Sequence, residues 1–484
     1  MGIMSRRIAS TVKKILKHMK TIAEFIKNFF TVYKEELRLF LFVIIILKVG
    51  RRWQDSVWGI VFFLFVFFVL IQMPLKYKLY MLIFLIPWAE SRQLPGKMLG
   101  VTGFNIINSL FLMIGATLFY EKRKLFSPSI FNNWILLYII LIAVSAYRGT
   151  EAIPAFGGYY NLFTYILNAL IKPIEIILAG IMVFYVLKSP NQHLQFLRII
   201  KFAGAILVLY ILVRGGRSID GIWRLARTIS IHKNALSFIC LTLLSMNLAT
   251  MNFGTNTEKI VNRFLNILYI LGIMFTFSRQ GYLSCLAILA IFSFRKGPVL
   301  TLLFFIGISL FWIYFMPIEV KKRIYTGTAE GEKLGVHEHL TGDVTAGRKE
   351  AWAACMPVIE EHLLFGQGLY AYVKSIGADR PELPHHPHNA YLQTLLDNGV
   401  AGSILFVSFF VMLIKKSWRL YKKSRSKFAS AYGYGFAVTI VIFLFQGYTG
   451  FRFYPYEESY FVWFYLGGLM WVEKNQAYLI KQGM

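Results

Sequence analysis

The chain has 484 residues, of which 57% are hydrophobic and 17% aromatic, and it carries a formal net charge of +28. Apolar runs of membrane-spanning length recur along it, so the composition predicts an all-α polytopic membrane protein and excludes a soluble globular domain. Because most basic residues fall in short loops between these runs, we interpret the charge as a determinant of membrane topology and expect no nucleic-acid partner.

The N-terminal segment, residues 1–36, is basic and has no apolar core ahead of a small-residue cleavage site, so we expect no cleaved signal peptide. From Ile15 to Phe30, apolar residues and lysines recur at roughly helical spacing. This pattern indicates a cytoplasmic amphipathic helix on an anionic membrane surface, and a disordered basic tail explains it equally well.

The apolar runs predict about 12 membrane-spanning helices, and up to 14 if two shorter runs near 38–49 and 79–90 also cross. They divide the chain into an N-terminal bundle (37–316), a large, partly helical loop (317–389), and C-terminal helices with a short tail (390–484). The loop 415–427 carries seven Lys or Arg and no acid, which assigns it, and with it both chain termini, to the cytoplasm. The large loop, with ten acidic and eight basic residues, is then periplasmic or otherwise extracytoplasmic.

The loop 214–233 also falls on the outer side, yet it holds five basic residues against one Asp. Positive charge there opposes the usual topological bias. We favour an anionic ligand as the reason, because guanidinium groups bind phosphate oxygens through paired, charge-assisted hydrogen bonds. Snorkelling of interfacial arginines toward lipid headgroups is the alternative. The candidate ligand-binding residues are Arg217, Arg224 and Arg227.

Arg279 stands in the turn Phe277-Ser278-Arg279-Gln280-Gly281 between two apolar runs, with no acidic residue within twenty positions. An ionised group at membrane depth is energetically costly, so we favour a functional role for it over snorkelling.

The large loop contains six of the nine histidines, which raises the question of a metal site. Neither the 337–339 cluster nor the 385–388 cluster has the spacing of an established helical zinc motif. The three cysteines, Cys240, Cys285 and Cys355, are too widely separated to assist or to form a disulfide framework. We therefore predict a site without metal.

The most specific pattern is His388-Asn389, a gap of nine residues, and Gly399-Val400-Ala401-Gly402, where the outer loop re-enters an apolar run. Together with Gly347-Arg348, Trp352 and Leu364–Leu369, it resembles the lipopolysaccharide O-antigen ligase family, within the O-antigen ligase and polymerase superfamily of polytopic glycosyltransferases. The turn 277–281 is similar to the family's arginine turn. Arg227 with His232–Leu236 resembles its earlier arginine loop more loosely, because a common glycine is absent, so Arg224 or Arg217 is an alternative for that role.

The resemblance covers residues 200–470 and implies a GT-C-like fold in the bacterial inner membrane. It further implies a cofactor-independent transfer of a glycan from undecaprenyl pyrophosphate to a sugar hydroxyl of lipid A-core at the periplasmic face. His388 would be the general base, since an imidazole with an ordinary pKa of about 6.5 accepts a proton near neutral pH. Arg279 and an arginine of the loop 214–233 would stabilise the pyrophosphate leaving group.

Three further residues are substrate-binding candidates. Asn389 would orient His388, and Arg348 would hold phosphate or a core sugar unless it forms a salt bridge with Glu350 or another acid of the loop. Arg452, in the last outer loop, is the third.

Two rival functions remain open from the sequence. A polymerase of the same superfamily would use the same donor with a second lipid-linked repeat as acceptor, and in family terms a histidine at 388 favours the ligase. A transporter would use the outer arginines to line a pathway for an anionic lipid. The 73-residue outer loop and the lack of evident paired repeats argue against it.

Overall fold

A computed structural model of the chain describes residues 20–21, 23–53, 56–89, 94, 97–98, 101–102, 105–121, 130–158, 161–215, 219–325, 348–380, 382–384, 386–448, 450 and 453–483. Three sets of residues named in the sequence analysis lie outside these ranges. They are residues 1–19 and 22 of the predicted segment 1–36, the candidates Arg217 and Arg452, and the histidines at 337, 339 and 385.

The described chain is almost entirely helical, which confirms the all-α prediction apart from one minimal hairpin of β1 (Lys97–Met98) and β2 (Val101–Thr102). The first half contains α1 (Lys34–Trp53), α2 (Val57–Gln72), α3 (Leu75–Leu85), α4 (Ile106–Tyr120), α5 (Ile130–Arg148), α6 (Leu162–Ile166), α7 (Lys172–Val186), α8 (Pro190–Arg214), α9 (Ile219–Ile229) and α10 (Lys233–Thr250). The second half contains α11 (Asn256–Phe275), α12 (Arg279–Lys296), α13 (Pro298–Tyr314), α14 (Ile318–Tyr325), α15 (Arg348–Glu361), α16 (Ala390–Lys423), α17 (Lys427–Gly447), α18 (Tyr460–Lys474) and α19 (Gln476–Lys481).

Among the described residues, five segments are long and apolar enough to cross a membrane. They are Phe131–Phe156, Leu162–Val186, Pro190–Arg214, Ala390–Lys423 and Lys427–Gly447, and the bent pair formed by α9 and α10 adds a sixth if it is one span. The apolar helices α2, α4 and α13 have only 16, 15 and 17 residues. At 1.5 Å per residue they are about 23–26 Å long, shorter than the hydrocarbon core of about 30 Å. The membrane-protein class is supported, and the count of about 12 spans stays a prediction.

The helix α16 is broken at Gly399, whose φ of 62° and ψ of −168° are not helical. The break frees two carbonyls and two amides of α16, and the segment 363–368 takes all four. Gln367 N and Gly368 N donate to Leu396 O and Asp397 O, both at 2.8 Å, while Val400 N and Ala401 N donate to Leu363 O and Leu364 O at 2.8 and 3.2 Å. We call these four hydrogen bonds the backbone latch. It divides α16 into a short first part, residues 390–398, and a long membrane part.

The helix α15 and the first part of α16 enclose a small second core. Ala351, Cys355 and Ile359 of α15 are buried there with Tyr372, Ile376 and Leu396. The sequence predicts a helix over 351–364 that packs through Met356 and Leu363, among others, but α15 ends at Glu361. Those two side chains are exposed, because the buried face follows the small residues at 351 and 355.

Candidate functional site

The Arg279 turn is held against two neighbouring helices. Ser278 caps α12 by accepting a hydrogen bond from Gly281 N at 3.2 Å, and its hydroxyl donates to Asn234 Oδ1 at 2.9 Å. Gln280 Nε2 donates to Gln446 O, at 2.6 Å, near the end of α17. The start of α10, the start of α12 and the end of α17 therefore meet at Arg279.

The loop predicted to carry ligand-binding arginines forms the amphipathic helix α9. Its buried face is made of Ile222, Leu225, Ala226 and Ile229, and its axis is bent by 82° from the following α10. Arg224 and Arg227 lie on the opposite, exposed face. Both guanidinium groups are therefore exposed on the outer side of the corner between α9 and α10.

Arg348 begins α15 and is partly buried. Burial lowers the pKa of its guanidinium, and the neighbouring positive charge of Arg279 lowers that pKa further. No ion pair joins Arg348 to an acidic residue in the part of the chain that the structure describes. The alternative of a salt bridge to Glu350 is not observed, because Glu350 is exposed and a second guanidinium is near Arg348 instead.

His388 lies in a tight turn immediately before α16, with a left-handed φ of 51°. Its backbone N donates to His386 Nδ1 at 3.3 Å, and the two imidazole centroids are 3.8 Å apart. Gly450 faces the ring: a Cβ at that position would lie 3.5 Å from His388 Nδ1. The glycine therefore keeps the space beside this nitrogen free of a side chain.

Asn389 caps α16, a role that was not predicted from the sequence. Its buried Oδ1 accepts hydrogen bonds from Tyr391 N at 3.0 Å and Leu392 N at 3.2 Å. Asn is a preferred residue at this position of a helix, so its place directly before an apolar helix was the available signal. The prediction that Asn389 orients His388 or binds substrate now concerns its Nδ2 group, because Oδ1 is occupied by the cap.

A chain of contacts links Arg279 to His388. Arg348, next to Arg279, is one helical turn from Trp352 on α15. Trp352 Nε1 donates a hydrogen bond at 2.6 Å to the carbonyl oxygen of Pro387, which directly precedes His388. The structure thus brings Arg279, Arg348 and His388 to one end of the bundle, and the contact of Ser278 with Asn234 joins the α9–α10 corner to the same end.

Two cavities at this end bear on the site, and neither was predicted. A cavity of about 210 Å³ lies along the first part of α16, and His386 lines it together with Gln393 and Asp397. We call it the aromatic cavity after its other walls, which include Phe156, Tyr370, Phe453, Tyr454 and Tyr456.

The second is an apolar groove of about 340 Å³ between α11, α12, α13 and α14. Its walls are almost entirely aliphatic and aromatic, with Ile273, Leu286, Ile308, Phe311 and Trp312 among them. Arg279 is the charged residue of its lining. Within the described ranges, no group of three or more His, Cys, Asp or Glu side chains is arranged to hold a metal ion.

Comparison with known protein families gives one finding for this end of the molecule. Residues 264–407 match the family model described as O-Antigen ligase. The matched segment contains the Arg279 turn, Arg348 and the whole pattern from His388 to Gly402, so it confirms the predicted family resemblance. A comparison with curated proteins finds no match.

Proposed function

We propose that this chain, whose residues 264–407 match the O-antigen ligase family model, transfers a glycan from undecaprenyl pyrophosphate to a sugar hydroxyl of lipid A-core. The reaction takes place in a GT-C-like fold at the periplasmic face of the inner membrane, without a metal ion. The observation that carries the proposal is the convergence of Arg279, Arg348 and His388 at one end of the bundle, where the hydrogen bond from Trp352 to Pro387 ties the helix of Arg348 to the His388 turn.

Two neighbouring guanidinium groups repel each other, and partial burial of one removes part of its hydration. Such an arrangement is stable in the presence of an anion that accepts hydrogen bonds from both. A diphosphate has the required charge and acceptor geometry, and guanidinium binds phosphate oxygens in a bidentate manner.

The apolar groove supports a lipid-linked donor. A polyprenyl chain is purely hydrocarbon, and the groove offers hydrocarbon walls that end at one guanidinium, Arg279. A tail in the groove would place its diphosphate beside Arg279 and Arg348. The exposed Arg224 and Arg227 of α9 then supply further positive charge at the membrane surface.

The aromatic cavity is the proposed acceptor site. Sugar C–H groups pack on aromatic faces. The polar groups of the lining include Gln393 and Asp397, whose side chains are hydrogen-bonded to each other at 2.9 and 3.0 Å. His386 lines the cavity, and its ring centroid lies 3.8 Å from that of His388, so an acceptor sugar in the cavity would lie one side chain away from the proposed base.

In the proposed reaction, His388 accepts the proton of the acceptor hydroxyl as its oxygen bonds to the anomeric carbon. The bond from that carbon to the diphosphate breaks, and its electron pair leaves with the diphosphate. Arg279 and Arg348 stabilise the negative charge that develops on the leaving group.

The test uses purified protein in lipid vesicles with an undecaprenyl-pyrophosphate-linked glycan and lipid A-core. For His388→Gln, we expect transfer to fall about 10²–10⁴-fold, the usual contribution of a general base, with donor binding retained. The matched control is His362→Gln, a partly exposed histidine of the same loop whose imidazole lies 3.9 Å from Glu361. It should transfer normally.

Each outcome has a distinct meaning. Transfer by His388→Gln near the unmodified level removes the histidine from the mechanism, and loss of activity on chelation contradicts a metal-free reaction. A product that is a lengthened lipid-linked glycan, with lipid A-core unmodified, identifies a polymerase. Movement of the lipid-linked donor across the vesicle membrane, without transfer of its glycan, identifies a carrier.

A further inference from the structure

A third cavity lies at the far end of α16 from His388. It occupies about 560 Å³ between α5 and α16 and is lined by Trp134 of α5 and by Ser408, Val411, Met412, Lys415, Lys416 and Arg419 of α16. The α16 residues recur at intervals of three and four, so they form one face of the helix. Along this face the lining changes from apolar at 411 and 412 to basic at 415 and 419. We call it the basic-ended groove.

We propose that the basic-ended groove binds a glycerophospholipid with an anionic headgroup. Its apolar part, Trp134 with Val411 and Met412, accepts an acyl chain, and Lys415 and Arg419 bind the phosphate.

The two cations have no partner in the described part of the chain. Lys415 and Arg419 are exposed, and neither makes an ion pair or hydrogen bond to another described residue. The third cation of the lining, Lys416, is already engaged: its Nζ lies 3.1 Å from Glu473 and over the Phe131 ring. The positive charge of the groove is therefore available at 415 and 419, one helical turn apart, where a phosphate group reaches both.

The groove lies on a helix that is long and apolar enough to cross the membrane. An apolar wall leading to paired cations at a helix end matches the two parts of a phospholipid, and an indole is favoured at the boundary between them. An acidic peptide or a soluble phosphate would use the cations and leave the apolar wall unfilled.

Distance separates this lipid from the proposed glycan donor. From the break at Gly399 to Arg419 the membrane part of α16 has about 20 residues, and at 1.5 Å per residue it is about 30 Å long. That length equals the hydrocarbon thickness, so the groove lies at the opposite membrane surface from Arg279 and His388. The inference does not depend on the proposed function.

Native mass spectrometry of the purified full chain tests the proposal, with phosphatidylglycerol and phosphatidylcholine as probes. The unmodified protein should retain one tightly bound phosphatidylglycerol molecule that the double variant Lys415→Gln/Arg419→Gln loses. The affinity of the double variant for phosphatidylglycerol should be at least about ten-fold weaker. Lys422→Gln/Lys423→Gln removes the same charge from the same helix outside the groove and should bind as the unmodified protein does. Trp134→Ala should weaken binding while both cations remain.

Equal loss of lipid in the two double variants would show that general surface charge holds it, and would overturn the site. Equal retention of phosphatidylcholine would overturn the anionic selectivity. Displacement of the lipid by millimolar glycerol 3-phosphate would overturn the acyl part and show a simple phosphate site. Glycan transfer by the double variants should be unchanged, which verifies that they are folded.

Discussion

The backbone latch at Gly399 makes a sharp prediction for Gly399→Ala. The residue has φ 62° and ψ −168°, a region of backbone conformation that is essentially restricted to glycine. A Cβ built there would also lie 2.5 Å from both Leu364 O and Phe365 N, two backbone atoms that cannot rotate away. The substitution therefore imposes backbone strain and steric overlap at the same position.

The expected magnitude follows from these two effects. Strained backbone of this kind costs about 1–3 kcal/mol, and an added carbon in a closely packed site costs about 1–3 kcal/mol more. We expect the latch of Gly399→Ala to be weaker by about 2–6 kcal/mol. At 1.4 kcal/mol per factor of ten, its amides should exchange with solvent at least about 27-fold faster.

Hydrogen–deuterium exchange of peptides containing Gln367, Gly368 and Val400 measures this opening in detergent or nanodiscs. Gly307→Ala on α13 is the matched control, because no atom lies within 4 Å of a Cβ there, and it should leave the exchange unchanged. Glycan transfer should also decrease when the backbone latch is weakened, because residues 390–398 hold the His388 turn. Unaltered exchange in Gly399→Ala would refute the argument that the four hydrogen bonds require this backbone conformation.

Two further predictions concern neighbouring residues. In equilibrium titration, Arg348→Gln should weaken the binding of undecaprenyl pyrophosphate by about 10–100-fold, because one charged hydrogen bond is lost. The ligand-free variant should not unfold at a lower temperature than the unmodified protein, because a positive charge that repels Arg279 has been removed. Earlier unfolding with unchanged affinity would instead indicate a structural guanidinium. In thermal unfolding, Asn389→Ala should destabilise the start of α16 by about 1 kcal/mol. Asn389→Asp keeps an oxygen that caps the helix and should not destabilise it. An equal loss of stability in both variants would contradict the capping role.

The sequence predicts the features that depend on local pattern. Helical class follows from the apolar runs, and the Arg279 turn follows from a break between two such runs. The count of spans does not follow, because α2, α4 and α13 are apolar but short, and a run of marginal length has no single outcome.

The cavities escape sequence reasoning for a different reason. The aromatic cavity combines Phe156, Tyr370 and Tyr454, which are separated by more than eighty positions each and meet only through packing. Likewise, the proximity of Arg348 to Arg279 crosses about seventy residues. In sequence, each of these residues is equally consistent with an interfacial belt or a surface charge.

The gap of nine residues between His388-Asn389 and Gly399 has a structural explanation. Asn389 caps the helix at one end and Gly399 breaks it at the other, so the gap is one short helix, residues 390–398, of about 14 Å. The glycine end is fixed by four backbone hydrogen bonds to the segment 363–368, and the other end carries the imidazole. Each residue of a helix turns the chain by about 100°, so a change of one residue in the gap would rotate His388 away from Gly450, and Pro387 away from Trp352. The spacing between Asn389 and Gly399 therefore sets both the distance and the direction of the proposed base, His388, relative to the rest of the bundle.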